Sequence, residues 1–151
     1  MDQKGGELFY ILQYLKFKPK GGLSMYQVQK DLSIYITRGD MAVLAVTAEN
    51  QGKPYIFQQG DLVRLKVFEK KNCDTVVLQK DIPVTETTDT VQLYLSQEDT
   101  RLGKLSSKPV DYWYEVELNP MTAPQTIIGY DENGPKILRV FPEGGDRKEN
   151  T

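Results

Sequence analysis

The chain has 151 residues, 39% of them hydrophobic and 26% charged, with a net charge of −2 and a pI of about 5.3. That is enough chain for one domain with a buried core, and too apolar for disorder throughout. The slight acidity argues against a nucleic-acid domain, which carries a basic excess. The absence of His removes His bases, Ser-His and Cys-His dyads and His metal ligands, and the single Cys73 can form neither an internal disulfide nor a multi-Cys zinc site.

No apolar run approaches the ~20 residues that span a bilayer. The N-terminus lacks a secretory pattern, because Glu7 precedes the apolar segment and no small-residue cleavage site follows it. The protein is therefore expected in the cytoplasm when made, with no membrane partner. Cys73, beside Lys70, Lys71 and Asn72, reads as a bystander thiol in an exposed turn.

Residues 1–24 differ from the rest. Over Glu7–Lys16, Leu8, Ile11, Leu12 and Leu15 share one face at i, i+3, i+4, i+7, which predicts a short helix. Phe9 and Tyr10 spoil its polar face, and Lys18-Pro19-Lys20-Gly21-Gly22 ends it. A second explanation stands beside the first. Lys20-Gly21-Gly22 followed two residues later by Met25 is what a purine-rich ribosome-binding site gives when translated in frame. On that reading residues 1–24 are a loosely packed extension from a misplaced start.

From Leu32 onward the pattern is β. Leu32–Thr37 alternates, Arg38-Gly39-Asp40 turns, and Met41–Ala48 is an apolar strand. Asn50–Pro54 is a turn and Tyr55–Phe57 a short extended piece. Gln59-Gly60-Asp61 opens the strand Leu62–Lys70, Lys71–Asp74 is a hairpin turn, and Thr75–Ile82 returns. Val91–Leu95 follows with Val91, Leu93 and Leu95 inward. The turns at Gly39-Asp40 and Gly60-Asp61 echo each other, with each Asp placed to accept from N–H groups two or three residues on.

Ser96-Gln97-Glu98-Asp99 reads as a capping box opening a short helix over 96–102, which Gly103 ends. Pro109–Phe141 then holds three strand-like runs separated by a Pro-rich loop and by Asp131-Glu132-Asn133-Gly134. The tail 144–151 is polar and expected to fray. Seven or eight short strands with regular turn signals predict an all-β domain over 25–143, a Greek-key β-sandwich, with an open barrel as the main rival.

Candidate sites gather in the third region. In a strand, Tyr112, Tyr114, Val116 and Leu118 share one face, and Trp113, Glu115 and Glu117 the other. The first face reads as core, the second as a surface for solvent or a partner. Trp113 with Tyr112, Tyr114, Tyr94 and Tyr130 could instead form an aromatic platform for sugars, Tyr94 being taken as a neighbour across the same sheet. Glu115 and Glu117 are a carboxylate pair without other catalytic partners. Arg38-Gly39-Asp40 matches the tripeptide that integrins recognise, but a β-turn explains it fully. No phosphate-binding glycine loop is present, and no cofactor is expected.

The Gly-Asp turn opening an apolar strand, the Asp131–Gly134 hairpin and Tyr112-Trp113-Tyr114-Glu115-Val116-Glu117-Leu118 resemble small proteins of prophage tail regions in Gram-positive gut bacteria. More remotely, residues 34–143 resemble the N-terminal domain of the siphophage baseplate upper protein family. The resemblance implies an immunoglobulin-like β-sandwich. It implies a non-enzymatic structural or adaptor role in a virion tail, exercised by homo-oligomerisation and by contact with other tail proteins. The family's long helical and receptor-binding portions have no counterpart here, so the implied role is adaptor rather than receptor binder.

Overall fold

The computed structural model describes residues 9–14, 26–132 and 134–143; of residues 9–14 it describes the backbone. Among these residues eleven strands run in chain order: β1 (Phe9–Tyr14), β2 (Tyr26–Val28), β3 (Ile34–Thr37), β4 (Ala42–Asn50), β5 (Lys53–Pro54), β6 (Leu62–Phe68), β7 (Val76–Pro83), β8 (Val91–Leu95), β9 (Val110–Leu118), β10 (Gln125–Ile128) and β11 (Lys136–Phe141). Among the described residues there is no helix. The all-β reading holds, and the strands form a two-sheet β-sandwich.

The larger sheet has the order β2-β3-β11-β9-β6-β7. β10 and β11 follow each other along one edge of β9. β10 pairs with Val116–Leu118 and β11 with Val110–Tyr114, and the turn 129–135 is extruded between them. β3 and β11 are parallel, while the other pairs in the sheet are antiparallel. In the smaller sheet β4 is central. β1 lies on one edge, and β8 and β5 follow each other along the other, since β1 shares partner residues on β4 with each of them.

Alternation builds the core. Ala42, Leu44, Val46 and Ala48 from β4, with Leu93 and Leu95 from β8, face Ile34, Ile36, Val63, Leu65, Val67, Tyr114, Val116, Leu138 and Val140. Burying each large apolar side chain fully is worth about 1.5–3 kcal/mol. Tyr114 is buried with its hydroxyl donating to the Leu32 carbonyl at 2.6 Å, and Tyr26 donates to the Val43 carbonyl at 2.6 Å, so neither phenol lacks a partner.

Two expectations are overturned. The helix over Glu7–Lys16 is replaced by β1, which pairs antiparallel with β4 from Phe9↔Glu49 to Tyr14↔Leu44. A ten-residue helix is marginal alone, whereas the open edge of β4 offers a full ladder of hydrogen bonds to the same residues. The helix at 96–102 is a turn. Its capping box does form: Ser96 N–H donates to Asp99 Oδ2 at 2.9 Å, and Asp99 N–H to Ser96 Oγ at 3.1 Å. Propagation then stops. The Thr100 hydroxyl is committed to the Asp40 carbonyl (2.8 Å), Leu102 is drawn into the core, and Gly103 takes φ 64°. A side chain at 103 would collide with the Tyr112 hydroxyl. The remainder of residues 1–24, Asn133 and the tail 144–151 lie outside the described residues.

Candidate functional site

β9 is paired on one edge with β11 and β10 and on the other, over Trp113–Leu118, with β6, so its two faces are held in alternation. Tyr112, Tyr114, Val116 and Leu118 are buried between the sheets, and Trp113, Glu115 and Glu117 are half-exposed on the outer face. Trp113 stands in register with Ile137 of β11 and Phe68 of β6. Phe68 is buried although it lies outside the main core, at a bulge where Val67 and Phe68 shift register against β7.

Glu115 is half-buried on this face. Gly129, in the extruded turn, lies against it: a Cβ on Gly129 would sit 3.7 Å from the Glu115 Cβ. Burial pushes the Glu115 carboxyl above the usual range, the charge of Glu117 pushes it further, and Lys66 offsets part of the rise. The charge of Glu115 also reaches Cys73 in the β6–β7 turn, whose thiol is pushed up first by burial and then by that charge. Such a thiol is a weak nucleophile, in keeping with a bystander.

The other charges on this face are already paired. Arg64 holds Asp81 through two bonds of 2.8 and 3.0 Å, and Arg139 holds Asp111 through two of 2.6 and 3.1 Å. Lys66 Nζ lies 3.4 Å from Glu117 Oε1. The Arg139 guanidinium stacks 5.3 Å over the Tyr35 ring, which meets Phe141 edge-on at 5.8 Å. The outer face of the larger sheet is thus a band of half-buried aromatics, Tyr35, Phe141 and Trp113, among charges that, Glu115 apart, are paired in place. Among the described residues, no group of three or more Cys, Asp or Glu is placed to hold a metal ion.

The structure unites Trp113, Glu115 and Glu117 and separates them from Tyr94. That residue belongs to β8 in the smaller sheet, opposite Val43 of β4, and points away from the core with 43% exposure. Its predicted place beside β9 is therefore wrong: strand partners are set by topology, and β8 pairs with β4. Tyr130 is 75% exposed just after β10. The five-aromatic platform is not assembled, because Tyr112 and Tyr114 are core and Tyr94 lies on the other sheet.

The turn residues act as backbone devices. Gly39, Gly60 and Gly134 all have positive φ, at 87°, 99° and 93°. The Asp40 and Asp61 N–H groups each close a turn on the residue three before, Thr37 and Gln58. The sequence predicts that the Asp61 carboxylate accepts from N–H groups two or three residues on, and it does not. It accepts from the Gln58 N–H behind it (2.9 Å), the Tyr55 hydroxyl (2.8 Å) and the Asn119 amide (3.0 Å). Asn119, itself at φ 51°, accepts from the Leu62 N–H at 2.8 Å.

Sequence reasoning missed one cluster altogether. The Glu143 side chain has no exposed surface, and its Oε1 accepts from Arg38 Nη1 at 2.9 Å while Oε2 lies 3.7 Å from Arg101 Nη2. Arg38 also donates to the Gly103 carbonyl at 3.2 Å. Gly39 makes room, since a Cβ there would sit 2.8 Å from Glu143 Oε2. Arg38-Gly39-Asp40 is therefore an internal corner, its arginine spent within the fold. Nothing local marks Glu143, which meets Arg38 from 105 residues away. Compared with known proteins, the chain matches no family model, and no curated protein matches it.

Proposed function

We propose that this chain is a non-enzymatic structural or adaptor protein of a phage or prophage tail. It acts by protein–protein contact, with the outer face of the larger sheet as a docking surface for other tail proteins. The immunoglobulin-like identity of the sandwich, its assembly in the host cytoplasm and its place in the virion belong to the same reading. The observation that carries the contact role is the band of Tyr35, Phe141 and Trp113 among charges already paired on the same face. Aromatics and Arg are enriched at interfaces, and covering a pre-paired charge leaves no ion without its partner.

The test is calorimetric titration of the purified full chain against the products of neighbouring genes, with Trp113→Ala and Tyr35→Ala in parallel. Loss of binding of tenfold or more by either variant supports the reading, since aromatic anchors carry most interface energy. Tight binding by the double variant refutes the assignment of this face. The competing carbohydrate-binding reading rests on surface aromatics, and the separation of Tyr94 from Trp113 weighs against it. Quenching or a shift of Trp113 fluorescence on titration with cell-wall sugars would restore it.

A further inference from the structure

We infer that the free edge of β8 is a self-association site, and that its occupant is β8 of a second copy related by a two-fold axis through Leu93. This deepens the contact role proposed above and rests on that role. It concerns a surface on the other sheet, so each can fail alone.

The edges of the two sheets are treated differently. β7, the end strand of the larger sheet, carries several of the devices that block edge pairing. It has a bulge between Val76 and Leu78, an inward-turned lysine (Lys80, opposite Leu65 and bound to Asp99 at 2.8 Å), the charge of Asp81, and Pro83 at its end. β2, at the other end of that sheet, is three residues long. β8 has none of these devices: its sequence is Val-Gln-Leu-Tyr-Leu, without charge, proline or bulge, and among the described residues it pairs with β4 alone.

The pairing of β8 shows which backbone groups are on offer. The Ala48 carbonyl accepts from the Tyr55 N–H on this edge of β4, so Leu44 and Ala42, two and three steps of the same alternation away, direct their groups at β8, and their partners Leu93 and Leu95 direct theirs back to β4. In an antiparallel ladder the alternate residues then direct theirs outward, which here are Gln92 and Tyr94, both exposed. A two-fold pairing keeps the same face up in both copies, so opposed residues must share a face. Centring on Leu93 meets that condition. Leu93 opposes Leu93, Val91 opposes Leu95 on the core side, and Gln92 opposes Tyr94 on the outer side. Each Gln92–Tyr94 pair exchanges both N–H···O bonds through the groups that point outward.

Two surroundings suit this register. An open groove of about 370 Å³ lies beside the start of β8, lined in part by Val84, Thr88, Thr90, Val91 and Gln92. It is where Ser96 and Gln97 of the second copy would run as they leave β8. On the outer face, Tyr94 pairs in register with Val43, and Met41 is also 43% exposed, so an apolar stripe continues from β4 through β8 to the seam. The smaller sheets of the two copies become one continuous sheet.

Sedimentation equilibrium of the full chain tests this, with three variants and folding checked by far-UV circular dichroism. The expected mass is twice the 17.2 kDa of the protomer, falling to the protomer mass for Gln92→Lys with Tyr94→Lys. Gln79→Lys on the guarded β7 edge and Trp113→Ala on the docking face are expected to leave the dimer intact. If the double-lysine chain misfolds, a second variant decides: Gln92→Cys with Tyr94→Cys, in a Cys73→Ser background, should give an intermolecular disulfide under mild oxidation. A wild-type chain that stays monomeric, a dimer that survives both lysines, or the absence of that disulfide overturns the inference. Loss of partner binding by Trp113→Ala with the dimer intact separates the two surfaces.

Discussion

Glu143→Ala is the most informative single perturbation of this fold. The carboxylate is fully buried, with one arginine at 2.9 Å and a second at 3.7 Å. Removing one partner of a buried ion pair costs about 3–5 kcal/mol, because the remaining charge is left desolvated. Here the remainder is partly relieved: the Arg38 side chain is 12% exposed and keeps the carbonyls of Leu102 and Gly103 at 3.4 and 3.2 Å. The lower end, about 3 kcal/mol, is therefore expected. For a chain of this size that lowers Tm by roughly 6–12 °C. Urea denaturation at pH 7 should show a lower midpoint with an unchanged slope. Replacing both ends of the pair, Arg38→Met with Glu143→Leu, should recover most of the loss, since an apolar pair of similar volume needs no compensating charge. A loss below about 1 kcal/mol for Glu143→Ala, the level of a surface pair, would refute the claim that this cluster holds the end of β11 to the turn at Gly39.

Three further outcomes follow from the same geometry. Gly39→Ala combines a positive φ with a contact on the Glu143 carboxylate, and should cost about 1–3 kcal/mol in the same denaturation assay. The raised Glu115 carboxyl means that the folded state holds that proton more tightly, so its contribution falls as pH rises from the ordinary carboxylate range through the folded value. Glu115→Gln should therefore gain stability relative to wild type at neutral pH, with the gap closing in acid. Tyr55 is pushed up to about 12, by burial first and then by Asp61, which accepts its hydroxyl. That contribution is complete below the ordinary phenol value and is lost as pH rises through about 12. Absorbance titration at alkaline pH should show late-titrating phenols, Tyr112 being raised by burial as well, and Tyr55→Phe should remove one equivalent from them.

How far the sequence carried depended on the range of the interaction. β9 was legible because its alternation is local: four core residues and three surface residues can be separated by counting. The strands around the Gly-Asp turns were legible for the same reason. Glu7–Lys16 misled because its apolar residues at helical spacing lie in a run, Phe9-Tyr10-Ile11-Leu12, that is apolar or aromatic at every position and so suits a strand as well, and the choice was made by the open edge of β4, thirty to forty residues away. Ser96–Asp99 misled in the opposite sense. Its capping box is real, yet a cap does not supply the second turn when Thr100 and Leu102 are claimed by distant groups. On the candidate face, Trp113, Glu115 and Glu117 could be grouped from β9 alone. Tyr35, Arg139 and Phe141 could not, because they arrive from β3 and β11, and the exclusion of Tyr94 required knowing which sheet β8 joins.

The parallel pairing of β3 with β11 sets a condition on how this protein is made. The two strands sit side by side in the middle of the larger sheet, yet the contact beside them, Arg38 with Glu143, closes a span of 105 residues. During synthesis β3 leaves the ribosome long before its partner exists, and the slot between β3 and β9 stays vacant until nearly the last strand emerges. The sheet is completed from its centre, late, after its flanks are available. Contacts of such long range slow folding, and until they form two strand edges stand open to other chains. A copy released short of Phe141 would lack the centre of the sheet rather than its rim. It should be recovered as aggregate, where loss of a peripheral strand would leave a soluble domain.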